Sequence, residues 1–78
     1  SYDKAYYLNP NNPRLLNNYG NYYATLAQRT QGEVRRQHLA KARQYYQQAL
    51  RLSPAYPAPQ RGLQFVEQMV QQGTKQAQ

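Results

Sequence analysis

Cysteine and tryptophan are absent, there is one phenylalanine, one methionine and one histidine, and acidic residues number only three in 78. Without cysteine there is no disulfide and no thiolate metal site, although the redox compartment stays open. The three acids, Asp3, Glu33 and Glu67, fall in separate segments. No carboxylate pair is therefore expected for acid–base chemistry. His38 stands close to Arg35, Arg36 and Lys41, the setting of a solvated helix residue. No glycine-rich phosphate loop and no metal-ligand spacing occurs. Catalytic residues, metal sites and cofactors are accordingly expected to be none, and the chain is read as non-enzymatic. Wholly apolar runs are only a few residues long, so neither a membrane span nor a signal peptide is indicated. The chain opens inside a helix-like segment, as a fragment of a longer protein would, and its compartment is not legible.

What is abundant is positive charge and tyrosine. Ten Lys and Arg give a net charge of +7, and nine residues are tyrosine. The charge suits acidic partners, whether a peptide, nucleic acid or an anionic membrane surface. Tyrosine combines a large apolar ring with a polar tip, useful both in helix packing and at binding surfaces. A chain of this length buries about 60% of its unfolded surface, and a single core of that size rarely supplies more than roughly 3–5 kcal/mol.

Proline and glycine divide the chain. Breaks are expected at 9–13, which carries Pro10 and Pro13, at 30–32, which ends on Gly32, and at 53–57, which carries Pro54 and Pro57. Helices are predicted over 15–29, 33–52 and 58–72, preceded by a partial helix over 1–8. Pro13 and Pro57 suit first-turn positions, where a missing amide proton costs nothing. Gly73 is expected to end the last helix and 74–78 to form a frayed tail. Leu16, Tyr19, Tyr23 and Leu26 recur at steps of three and four, as do Leu39, Ala42, Tyr46, Ala49 and Leu50. Leu63, Val66, Met69 and Val70 make a shorter stripe. No segment alternates as a half-buried strand would, so the fold class is all-α.

An internal echo is the most informative feature. Tyr2, Ala5, Leu8 and Pro10 recur as Tyr46, Ala49, Leu52 and Pro54, with a further proline three residues on in each copy, Pro13 and Pro57. Tyr46 stands 44 residues after Tyr2. Ala42, Tyr46, Ala49 and Pro54 resemble the second half of a tetratricopeptide repeat (TPR), and Leu16, Tyr19, Gly20 and Tyr23 resemble its first half. Such repeats normally run 34 residues, and this one carries about ten more between Tyr23 and Ala42. Symmetric extension of both helices by four or five residues would absorb them. In the last segment Gln60 and Gln64 replace the bulky residue and the glycine, so it reads as a capping helix. The resemblance implies a TPR-like solenoid fragment: the end of one repeat over 1–9, one long repeat over 13–54, a cap over 57–73 and a tail over 74–78.

It also implies a protein-interaction module. In this family the first helix of each repeat lines a concave groove that holds an extended or helical partner segment. That places Arg14, Asn17, Asn18, Asn21, Tyr22 and Thr25 on the groove side, joined by Arg61 and Phe65. Asparagine both donates and accepts, which suits peptide backbone, and arginine pairs with carboxylates. The plainer reading of the asparagines is as solvated or turn residues. Arg29, Arg35, Arg36, Lys41 and Arg43 surround the expected hairpin tip, either as a solvated surface or as an anion patch for nucleic acid or lipid. A structural role through self-association at 1–8 is the other alternative. The stretch LLNNYGNYYATLAQ resembles repeat helices of bacterial lipoproteins that assist type IV pilus assembly.

Overall fold

The computed structural model describes residues 12–77, with side chains as far as Gly73, and these form three helices: α1 (Pro13–Gln28), α2 (Gly32–Leu52) and α3 (Pro57–Ala77). The predicted segment 1–8 and its echo of the second helix lie outside the described residues. Each start has a local cause. Asn12 takes an extended conformation and its Oδ1 accepts from Arg14 N at 3.0 Å and Leu15 N at 3.2 Å. Two orphan amides of the first turn are thereby satisfied, and Pro13 occupies the first helical position at no cost.

At the far end of α1 a compact turn is closed by side chains. Thr30 Oγ1 donates to Leu26 O at 2.9 Å. Arg35 reaches back from α2, its Nε donating to Ala27 O at 3.0 Å and Thr30 O at 2.7 Å. A cation on the last carbonyls of a helix also complements its dipole. Gly32, with φ 63°, takes the left-handed conformation that starts α2. The tip is thus built from a backbone that only glycine adopts cheaply.

The eighteen residues between Tyr23 and Ala42 bridge the two helices through a short turn. Residues 24–28 follow Tyr23 within α1, whereas 32–41 precede Ala42 within α2. The turn chemistry sits just after Gln28, between the two stretches.

The second turn is equally local. Ser53 N donates to Ala49 O at 2.9 Å and Tyr56 N to Ser53 O at 3.1 Å. Gln60 Nε2 donates to Pro54 O at 3.1 Å, tying the first turn of α3 to the preceding loop. Beyond that, α3 runs through Gly73 to Ala77 where a stop and a tail were expected. Gly73 does not take a positive φ, so it does not act as a left-handed terminator.

α1 and α2 pair as an antiparallel hairpin, and α3 packs mainly on α2 with a smaller contact to α1. The core is Ala24, Ala27, Leu39, Ala42, Tyr46 and Val66, flanked by partly buried Tyr23, Leu63, Phe65 and Met69. Small alanines let the helices approach closely, and one large ring, Tyr46, fills the junction of all three. Val70, the last residue of the predicted apolar stripe, is 43% exposed.

Candidate interaction groove

The site begins with Tyr46. Its side chain is fully buried, and a glycine lies on either side of the ring: Gly20 on α1 and Gly62 on α3. A Cβ at Gly20 would stand 2.5 Å from Tyr46 Cε1, and one at Gly62 equally close. Both helices therefore reach the ring only because neither carries a side chain there. The hydroxyl at the end of the ring donates to Asn21 Oδ1 at 2.6 Å. Burial pushes the Tyr46 pKa up to about 12, so the proton it donates is retained across the physiological range.

Between α1 and α3 a cleft of about 470 Å³ opens above this ring. Asn17, Asn21, Thr25, Arg61 and Phe65, all expected in a groove, line it. They come together because residues 17, 21 and 25 recur at one turn along α1, and 61 and 65 do the same along α3. Arg14, Asn18 and Tyr22 do not line it. Asn18 is one step around the helix and exposed, Arg14 is exposed in the first turn, and Tyr22 is 46% exposed and edge-on to Tyr23 at 5.1 Å. Ala24, Gln28, Tyr46, Ala58 and Gly62 complete the lining and were not anticipated. Gln28 continues the Asn17–Asn21–Thr25 row. Gly62 with Phe65 repeats the spacing of Gly20 with Tyr23, a signal masked by counting the last helix from Pro57.

Asn17 is the unusual residue of the cleft. It is 94% buried, yet its Oδ1 has no hydrogen-bond partner among the described residues. An unmet buried amide oxygen costs about 1–3 kcal/mol. The cleft is lined by Asn17, Asn21 and Arg61 and by no acidic side chain among the described residues.

The basic residues do not converge. Arg35 is spent on the α1 carbonyls. Arg36 lies 3.7 Å from Glu33 at the exposed tip, and Arg43 lies 3.7 Å from Glu67 across α2 and α3. Lys41 Nζ sits 5.8 Å from the Tyr23 ring centroid. That ring belongs to a run of aromatics on another side of the hairpin: Tyr45 stacks on Tyr19 at 5.0 Å and on Tyr23 at 5.7 Å, and His38 lies 6.0 Å from Tyr23. Arg29 is the exposed C-cap of α1. Among the described residues no group of three or more His, Asp or Glu gathers as a metal site, and no helix is long and apolar enough to cross a membrane.

A family model described as Tetratricopeptide repeat matches residues 1–44, more than half of the chain. The chain belongs to the tetratricopeptide repeat family. The all-α hairpin and the aromatic ring between small residues accord with that membership. TPR repeats are in general non-catalytic scaffold modules, and membership suggests a protein–protein interaction module for this TPR chain. No curated protein and no solved structure matches it.

Proposed function

We propose that this TPR chain holds an extended segment of a partner protein in the cleft between α1 and α3, with acidic segments favoured. The observation that carries the reading is the buried, unpartnered Asn17 Oδ1 beside Asn21 and Arg61. An amide oxygen left without a donor is a standing demand for one, and a peptide N–H supplies it. Arg61 and the absence of acidic lining residues favour carboxylates on the ligand. In this reading 13–54 is one lengthened repeat and α3 closes it.

Two other readings have less behind them. An anion patch at the tip needs clustered free cations, whereas Arg35, Arg36 and Arg43 each face a partner within the fold. Self-association through 1–8 concerns residues outside those described. The pilus-lipoprotein resemblance rests on its fourteen residues alone, with no curated relative to extend it.

An amide-shift titration tests the proposal, using acetyl-(Ala-Glu)3 with a free C-terminal carboxylate in one arm and a random single-stranded oligonucleotide in the other. Peptide shifts at Asn17, Asn21, Arg61 and Phe65 are expected, lost in Asn17→Ala and kept in Asn18→Ala. Shifts confined to Arg29, Arg36 and Lys41 with the oligonucleotide would instead make the tip the binding surface and sink the groove reading.

A further inference from the structure

The Tyr46–Asn21 hydrogen bond has a consequence for what the cleft selects. An asparagine amide is ambivalent: Oδ1 accepts, Nδ2 donates, and a free side chain turns either end toward a ligand. At Asn21 that freedom is removed. The Tyr46 hydroxyl lies at the end of a buried ring and donates to Asn21 Oδ1 at 2.6 Å, a short bond. Turning the amide over would bring Nδ2 to the hydroxyl and leave the buried phenolic proton without that acceptor, a costly loss. The retained proton, with the Tyr46 pKa at about 12, keeps the arrangement in force throughout the neutral range.

We infer that Tyr46 is the positioning residue of the cleft: it holds the Asn21 amide with Nδ2 toward the ligand, so that the ligand atom met there is a hydrogen-bond acceptor. The inference rests on the peptide reading proposed above and specifies its chemistry. Asn17 and Asn21 are one helical turn apart, about 6 Å along the axis. Asn17 Oδ1 lacks a donor while Asn21 Nδ2 is offered as one. Residues one turn apart on α1 thus present opposite demands, met together by the N–H and C=O groups of one extended backbone. A carboxylate oxygen at the Asn21 position, with Arg61 on the facing helix, is the anionic version of the same match.

The glycines are part of the device. With Gly20 and Gly62 on either side, the ring has no room to swing, and its hydroxyl is delivered to one place on α1. Asn21 follows Gly20 directly, so the position that admits the ring also fixes the distance to the amide.

A double-mutant cycle on the full chain tests this, with acetyl-(Ala-Glu)3 bearing a free carboxylate as ligand and Tyr46→Phe and Asn21→Ala as the two changes. Tyr46→Phe keeps the ring and removes only the hydroxyl. Its affinity is expected to fall about tenfold, near the net worth of one oriented hydrogen bond. In the Asn21→Ala background the same change should have no effect. An equal loss in both backgrounds, or none in either, overturns the inference and leaves the peptide reading standing. If the native chain binds no peptide, the peptide reading falls and takes this one with it. A measurement without ligand runs alongside: the Tyr46 hydroxyl proton should exchange slowly enough to be seen by NMR, and should vanish in Asn21→Ala. Fast exchange in the native chain would overturn the inference independently of binding.

Discussion

The two ends of the hairpin show opposite uses of the same residue types. Around Tyr46, glycine is a spacer and the ring is confined: Gly20 and Gly62 admit it, and Asn21 takes its proton. At the tip, Gly32 is a conformational device with nothing within 4 Å of the place a Cβ would occupy. The charges near the tip also divide, since Arg35 is half-buried against carbonyls while Arg36 and Glu33 meet at 3.7 Å with 78% and 70% of their side chains exposed. The difference teaches that in so small a fold, position and not residue type decides what a glycine or an arginine is worth. The ring junction carries the stability and shapes the cleft, whereas most of the tip is open to change.

The comparison breaks first at the glycines. Gly20→Ala and Gly62→Ala each place a methyl against the Tyr46 ring, which is held from the other side as well. Overpacking of this kind costs typically 1–3 kcal/mol, against roughly 0.5–1 kcal/mol gained from replacing glycine in a helix. Net destabilisation of about 1–2 kcal/mol is expected by urea titration, a large part of the stability of a 78-residue chain. Combining Gly20→Ala with Tyr46→Leu should cost less than the sum of the two single changes. Simple additivity, or a stabilised Gly20→Ala, would show that the ring is not confined.

Alkali offers a second way in. The Tyr46 hydroxyl ionises near 10 in the unfolded chain but at about 12 when folded, because burial disfavours the charged form. A folded pKa above the unfolded one gives stability that is whole below pH 10 and is lost as pH rises from 10 toward 12. The loss attributable to this group is on the order of 2 kcal/mol. Tyr46→Phe should flatten that part of the profile relative to the native chain. Profiles of equal slope would mean that folding does not raise the Tyr46 pKa.

Much of this was legible beforehand. Leu16, Tyr19, Ala42, Tyr46 and Ala49, read from their spacing as core, are all buried, because helical period reports burial directly. Five of the eight expected groove residues line the cleft for the same reason. What escaped was register between helices. Counting from Pro57 puts the glycine position at Gln64, whereas the helix docks at Gly62, whose missing side chain lets Tyr46 in. By sequence Arg35 falls among the surface cations, because sequence shows charge but not the carbonyls of Ala27 and Thr30 that face it. The end of α1 at Gln28 and the start of α2 at Gly32 depend likewise on where those bonds close the turn.

The smallest predicted effects sharpen the contrast within the tip itself. Arg35→Ala removes two hydrogen bonds from the α1 carbonyls and should cost about 1–2 kcal/mol, since bonds from a charged donor are stronger than neutral ones. Arg36→Ala breaks only the exposed contact with Glu33 and should change stability by less than about 0.5 kcal/mol. The two side chains are adjacent, of one type and on one helix, so net charge changes identically in both variants. Raising ionic strength should erase the Arg36 effect and leave most of the Arg35 loss, because screening acts on exposed pairs and not on partly buried hydrogen bonds. Equal losses in the two variants would mean that both act through overall charge, and the tip would then have no internal division of labour.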